Sequence, residues 1–193
     1  PASTWRGAMT LPRDLSLRPG PEGRPVLVQR PAPELETHAG PPTTVRATTG
    51  IRSSRAPLSE APQAYELVVR APAGASPWTV EVHRDETLGR ATRVSCDASD
   101  PGRPVLTVRR DDRGLAGVDP PGGQVVVLPD VDPDDVVEVR VLVDTCSVEV
   151  FAAGGTVVLT NLVFPGPDAR GVAVTSGDAT VDVEVTLRDL TTR

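Results

Sequence analysis

The stretch that decides the fold is Val136–Pro165, which reads VVEVRVLVDTCSVEVFAAGGTVVLTNLVFP. Its first two Val-rich runs are joined by the short link Asp144-Thr145-Cys146, and a second link, Ala152-Ala153-Gly154-Gly155, leads into a third run. Alternating β-branched residues bounded by short turn segments are typical of neighbouring antiparallel strands. The stretch therefore predicts a three-stranded meander.

Outward from the meander, short apolar runs recur about every 8–12 residues, the spacing typical of a β-sandwich or barrel. In the run that starts at Trp78, the indole shares one face with Val80 and Val82, which predicts a core position and not a sugar-stacking one. No segment shows convincing helical periodicity. These patterns predict an all-β fold, either a β-sandwich or a barrel. Its other strands are expected at Tyr65–Arg70, Trp78–His83, Ala91–Cys96, Val105–Arg110, Gln124–Leu128, Gly171–Ser176 and Thr180–Leu187.

The beginning of the chain predicts a separate hairpin. Gly7–Leu11 and Pro25–Arg30 are strand-like, and the turn-rich Arg18–Gly23 lies between them. A lone hairpin is only marginally stable in water, so this one is expected to pack on another part of the protein.

A segment rich in Pro, Thr, Ser and Ala follows the hairpin. It is interpreted as a linker or edge segment, with one strand at Thr43–Thr48. The predicted organisation is a hairpin segment over 1–36, this linker over 37–64 and the sandwich over 65–193, with a first strand from about 43 as the alternative start.

Charge and hydropathy exclude two classes of partner. The chain has 193 residues and a formal net charge of −6, and all twenty of its basic residues are arginine. A surface that neutralises phosphates should be basic, so nucleic-acid binding is not expected. No apolar run approaches the roughly 18 residues of a membrane span. The cellular location stays open.

Cofactor and metal sites are not expected either. His38 and His83 lack ligand spacing to any cysteine. Cys96 and Cys146 are interpreted as two small buried thiols, with a disulfide between them as the alternative if their strands face each other. The acidic loop 130–135 is interpreted as a solvated turn in preference to a calcium site, because Pro133 stiffens it and it lacks the glycine and terminal glutamate of an EF-hand.

Three blocks of sequence resemble glycoside hydrolase family 32, the family of invertases, levanases and exo-inulinases. Trp5–Leu17 with Leu27–Leu35 resembles the last propeller strands of that family. Arg140–Phe151, followed by Gly155, Leu159-Thr160 and Pro165, resembles the signature of its C-terminal β-sandwich, and Leu106–Gly114 resembles the strand and turn before it.

The resemblance implies an antiparallel two-sheet β-sandwich appended to a five-bladed propeller, with the propeller of the same parent enzyme as the partner. The family's catalytic residues are an Asp nucleophile, an Asp in an Arg-Asp-Pro motif and a Glu next to Cys. None is matched here, since Arg13-Asp14 is followed by Leu15 and no Glu-Cys pair occurs. The chain is therefore expected to be a non-catalytic domain that supports the propeller of an enzyme hydrolysing β-fructofuranosyl linkages of fructan or sucrose with retention. A homodimer contact is left open.

Glu149 is the residue that invites a functional interpretation. It lies between Val148 and Val150 and therefore faces away from them. One hypothesis makes it an acid paired with an arginine, because acids are seldom buried unpaired. The other makes it an acceptor for fructan hydroxyls in a terminal-fructose site, with Asp144 and Arg109 or the neighbouring Arg110 as co-ligands. Interdomain contacts of the hairpin segment are expected at Trp5, Arg6 and Arg13, and for Trp5 and Arg6 the contacted domain is either the propeller or the sandwich.

Overall fold

The computed structural model describes residues 8–47, 61–85, 87–100, 102–111, 123–129, 131–132, 134–176 and 183–191, and for residues 45–47 it describes the backbone alone. Within these ranges the chain forms thirteen strands and a single short α-helix. The strands before the helix are β1 (Arg13–Pro19) and β2 (Pro25–Pro31), and the helix is α1 (Glu34–His38). The later strands are β3 (Thr43–Ala47), β4 (Tyr65–Pro72), β5 (Trp78–Asp85), β6 (Arg90–Asp97), β7 (Val105–Arg110), β8 (Gln124–Val127), β9 (Val136–Asp144), β10 (Ser147–Ala152), β11 (Val157–Leu162), β12 (Gly171–Ser176) and β13 (Val183–Asp189).

Two antiparallel sheets make the sandwich. One has six strands in the order β11-β10-β9-β4-β13-β3, and the other has five in the order β12-β5-β6-β7-β8. The inward residues of both sheets form one core that is rich in valine, and it includes Trp78 at 1% exposure. The predicted two-sheet sandwich and the core position of the indole are both confirmed.

The meander forms as predicted, since β9, β10 and β11 are consecutive neighbours in the six-stranded sheet. In β10 the side chains of Val148 and Val150 enter the core, so Glu149 and Phe151 lie on the outer face of the sheet. The register places Glu149 directly opposite Leu142 of β9 and Thr160 of β11.

The hairpin exists, but its first strand was predicted in the wrong place. It runs over Arg13–Pro19, whereas residues 8–12 are not in a strand and Gly7 lies outside the described residues. Pro19 pairs with Pro25, and Gly20 N–H donates to Arg24 O at 2.9 Å across the turn. A hairpin strand must end where its turn begins, and the turn at 20–24 therefore fixes the strand directly before it.

Three further expectations meet different outcomes. Helix α1 was not predicted; it is one turn that begins after Pro33, a residue that suits the start of a helix. Cys96 is buried as expected, but Cys146 is exposed at the β9–β10 turn, because a turn at the sandwich end lies outside both sheet faces. Both thiols are free.

Among the described residues no cluster of His, Cys, Asp or Glu could hold a metal ion, and no helix is long and apolar enough to span a membrane.

Candidate functional site: the charged outer face of the six-stranded sheet

Glu149 is buried on the outer face of the six-stranded sheet, at 1% exposure. Its carboxylate forms an ion pair with Arg13 of β1, and its Oε1 accepts a hydrogen bond from the Leu11 N–H at 2.6 Å. Both carboxylate oxygens are therefore engaged by the hairpin segment. The structure places Glu149 in the arginine-paired environment of the first hypothesis.

The guanidinium of Arg13 contacts several other side chains as well. Its NH groups also donate to Gln29 Oε1 at 3.0 Å and to Thr160 Oγ1 at 2.8 Å. Its Cζ lies 5.3 Å from the centre of the Phe151 ring, within the range of a cation–π contact. One arginine thus ties β1 to β2, β10 and β11.

A second buried carboxylate, Glu66 of β4, lies on the same outer face at 1% exposure. Arg140 Nε donates to Glu66 Oε1 at 2.6 Å, and Arg188 Nη1 lies 4.0 Å from Glu66 Oε2. Both arginines also pair with Glu36, so the helix α1 is joined to this second acid through them.

The sheet register aligns these groups in one row. Glu149 is opposite Leu142, Leu142 is opposite Glu66, and Glu66 is opposite Arg188. Leu142 is 2% exposed, so the row is covered from Glu149 to Glu66, whereas the Arg188 side chain at its end is 30% exposed. We call this row with its covering groups, Arg13, Glu36 and Arg140, the outer-face charge row.

The two acids of the charge row do not form a free carboxylate pair. A retaining glycosidase uses two carboxyl groups about 5–5.5 Å apart across the scissile bond. Glu149 and Glu66 lie on strands separated by β9, with about 10 Å between their backbones at the usual strand spacing. Each acid is also occupied by arginine, so the row holds the segment 8–40 in place and offers no free acid–base couple.

The structure does not bring the three predicted sugar ligands together. Asp144 is exposed at the end of β9, diagonal to Glu149, and its Oδ1 accepts from Thr145 N–H at 2.7 Å. Arg109 is exposed on the outer face of the five-stranded sheet, since its neighbour Val108 points into the core. The outer faces of the two sheets point in opposite directions. Arg110, the other candidate, donates to Leu162 O. Sugar binding by these residues stays a prediction.

Of the three residues predicted to make interdomain contacts, Arg13 joins the hairpin to the sandwich, and a contact of Arg13 with a further domain stays a prediction. Trp5 and Arg6 lie outside the described residues. Glu66 was missed by the sequence interpretation. Its position between the inward-facing Tyr65 and Leu67 indicated an outer-face residue, but the alternation does not show the contacts with Arg140 and Arg188 that accompany its burial.

An exposed apolar cluster lies on the hairpin itself. Leu17 is directly opposite Leu27, and Leu15 is two residues from Leu17 on the same strand, so the three share one face. Their exposures are 69%, 45% and 65%. We call them the leucine face.

The chain is similar to known glycosyl hydrolases. Residues 34–190 match the family model "Glycosyl hydrolases family 32 C terminal". The chain is 32% identical to the raffinose invertase of Escherichia coli over 92% of its own length and 34% of the invertase. It is 30% identical to the levanase of Bacillus subtilis over 95% of its length and 27% of the levanase.

Solved structures show the same fold. The exo-inulinase of Aspergillus awamori superposes with a TM-score of 0.77 and 24% identity, covering 100% of this chain and 37% of the inulinase. The sucrose-6-phosphate hydrolase of Lactobacillus gasseri gives a TM-score of 0.70 and 18% identity over 93% of this chain and 33% of that protein. The chain thus spans about a quarter to two fifths of the length of the proteins it matches.

Proposed function

The chain belongs to glycosyl hydrolase family 32, as a C-terminal domain of that family, and on this premise we propose that it is the non-catalytic sandwich of a fructan- or sucrose-hydrolysing enzyme. Its role is to hold the last strands of the catalytic propeller and to stabilise that propeller. The parent enzyme cleaves β-fructofuranosyl linkages with retention, as the family resemblance implies. The names levanase, raffinose invertase and exo-inulinase among the similar proteins support this substrate class.

The observation that carries the proposal is the change along one face of the hairpin. Arg13 at the start of β1 is fixed to the sandwich through Glu149, and Glu36 after β2 is fixed through Arg140. Leu15 and Leu17 follow Arg13 on the same face of β1, and with Leu27 they are left exposed. A two-stranded ribbon with an apolar face needs a partner surface. Because most of each similar protein lies outside the part that this chain matches, we assign that surface to the catalytic propeller of the same polypeptide.

Fructose release tests the absence of catalysis. The chain alone and the full-length gene product are incubated with sucrose, inulin and levan. We expect fructose only from the full-length protein, because both acids that are buried within the described ranges, Glu66 and Glu149, are occupied by arginines. Fructose release by the purified chain, in proportion to its concentration, would overturn the proposal. A full-length protein inactive on all three substrates would overturn the assignment of the substrate class.

The docking surface is tested with Leu17→Asp. The matched control is Val125→Asp on the edge strand β8, where the valine is 68% exposed. In the isolated chain both changes should have similar, small effects on thermal stability. In the full-length protein Leu17→Asp should cost about 2 kcal/mol more than the control, the scale of burying one leucine. Equal effects of the two variants in the full-length protein would show that the leucine face contacts nothing there.

The fructan-binding alternative at Glu149, Asp144 and Arg109 is tested by titrating levan into the chain and into Glu149→Ala. Loss of a measurable affinity on substitution would support it, and unchanged binding would exclude Glu149 as a ligand.

A further inference from the structure

A cleft opens at one end of the sandwich, where β5 ends and β6 and β12 begin. It consists of two adjoining cavities of about 240 and 410 Å³, which share His83, Pro165, Gly166 and Ala169 in their walls. The larger lies within the usual range of small-molecule sites, about 300–1,000 Å³. The β9–β10 turn borders it through Thr145. We call the two cavities together the end cleft.

The backbone is distorted at the centre of this cleft. His83 has a φ of +49°, in the left-handed region that favours glycine. The pairing of β5 with β6 shifts between Val82 and Asp85, and the pairing of β5 with β12 shifts at the same place. A bulge of this kind turns one side chain out of the alternation of its strand. Glycine would be less strained than histidine at this position, and a strained residue of this kind indicates a functional role for its side chain.

The larger cavity presents hydrogen-bonding side chains beside apolar residues, and one of these side chains is the charged guanidinium of Arg170. Gln63 Nε2 donates to Thr145 Oγ1 at 3.2 Å, and Arg170 Nη2 donates to Ala61 O at 3.0 Å. Each of these side chains has further donors or lone pairs beyond those contacts. Tyr65, Pro62, Pro165 and Pro167 line the same cavity.

The smaller cavity carries charges of both signs beside an aromatic ring. Asp85, Arg90 and Phe164 line it, and Phe164 is 37% exposed. Asp85 Oδ1 accepts the Thr87 and Leu88 N–H groups, each at 2.9 Å, and its other oxygen lies toward Gly166. Asp85 offsets the charge of Arg90, and Arg170 of the larger cavity is the further charged side chain among the residues that line the end cleft.

We propose that the end cleft is a binding site for a neutral, hydroxyl-rich carbohydrate, held by hydrogen bonds from His83, Gln63, Thr145 and Arg170 and by the Phe164 ring against an apolar sugar face. A hydroxyl is both donor and acceptor, and the cleft offers both kinds of group. The identity of the sugar rests on the proposed function: a fructosyl oligosaccharide is the expected ligand. The cleft is separate from the leucine face and from Glu149.

Titration calorimetry and amide NMR on the chain test the site. The probes are 1-kestose and sucrose, with maltose as a sugar lacking fructose and sodium sulfate as an anion. We expect saturable binding of 1-kestose or sucrose, with amide shifts at Gly166, Ala169 and Arg170. His83→Gly should weaken binding about tenfold, the scale of one or two lost hydrogen bonds, without lowering thermal stability, because glycine suits this backbone.

The matched control is Glu22→Gly, which relaxes another left-handed residue (φ +56°) in the exposed hairpin turn. It should leave binding unchanged. Equal affinity in His83→Gly and the unsubstituted chain, or shifts away from the cleft, would overturn the assignment, as would binding of sulfate alone. Binding of maltose alone at the cleft would keep the site but reject the fructosyl ligand. Fructose release by the full-length protein is scored separately, so failure of the cleft and failure of the proposed function are distinguishable.

Discussion

Replacement of Arg13 by alanine should destabilise the chain far more than loss of a surface ion pair. Glu149 is 1% exposed, while the Arg13 side chain is 15% exposed. Removing the arginine therefore leaves a buried carboxylate whose one remaining hydrogen-bond partner among the described residues is the Leu11 N–H. Breaking a buried pair on one side typically costs about 3–5 kcal/mol. The remaining hydrogen bond and the partial exposure of Arg13 place our expectation at the lower end, about 3 kcal/mol.

The hairpin sets an upper limit on this cost. If β1 and β2 detach, Glu149 regains water, so the loss is limited by the free energy that docks the hairpin. That docking includes burial of Val28, which is 4% exposed, worth about 1.5–3 kcal/mol by itself. A loss near 3 kcal/mol corresponds to a fall in Tm of about 6–12 °C for a domain of this size.

Urea unfolding followed by circular dichroism measures the effect, and a double-mutant cycle isolates the pair. The variants are Arg13→Ala, Glu149→Gln and both together. The amide of Glu149→Gln still accepts from Leu11 N–H and needs no counter-charge, so the double variant should be more stable than Arg13→Ala alone. A loss below about 0.5 kcal/mol for Arg13→Ala would refute the reasoning, since that is the value of an exposed pair.

Three further predictions concern other parts of the fold. Gly155→Ala should lower the free energy of unfolding in urea by more than about 2 kcal/mol, because the φ of Gly155 is +96° and a Cβ there would overlap the Gln29 carbonyl oxygen. The control Gly154→Ala, at φ +64° with nothing within 4 Å of the added Cβ, should cost only about 1 kcal/mol. Equal losses in the two variants would contradict the close approach of β2 to Gly155. Glu36→Gln should lower the free energy of unfolding by less than about 1 kcal/mol, because the Glu36 side chain is 50% exposed and Arg140 remains paired with Glu66 in the variant. A loss as large as that of Arg13→Ala would contradict this ranking. Burial, assisted by the charge of Asp97, raises the pKa of the Cys96 thiol from 9.0 to about 12, so the thiol contributes stability that is complete below pH 9 and is lost as the pH rises towards 12. Cys96→Ala should flatten that alkaline decline, apart from the part due to Tyr65, whose pKa burial also raises; an unchanged slope would exclude the thiol as its source.

The strands and the core were predictable because their signal is local. Alternation in β7 and β12 reproduced the observed bounds, and the phase of Trp78 with Val80 identified the core face. The meander links were equally informative, since short turns leave little choice of pairing. The predicted position of β1 was wrong because the apolar run at 7–11 was interpreted as the strand, whereas the position of the turn decides where the strand ends.

The long-range contacts could not be predicted in the same way. The strand pattern showed that Glu149 faces outward, and general physics indicated an arginine partner, but the partner lies 136 residues away in sequence. Nothing local distinguishes Arg13 from the other arginines. The bulge at His83 was hidden for a related reason: its left-handed backbone is not marked by a glycine, so the residue fitted the alternation of β5.

The charge row also explains why the hairpin docks on this face. Apolar residues in place of a buried ion pair are often as stable or more stable, so stability alone does not require Arg13 and Glu149. An acid on the outer face does, however, disfavour covering by any segment that lacks a cation at that position. We therefore expect the double variant Arg13→Met with Glu149→Leu to unfold with nearly unchanged free energy while its hairpin amides, such as Val28, exchange faster with solvent. Unchanged exchange in that variant would show that packing around Val28 alone selects the hairpin.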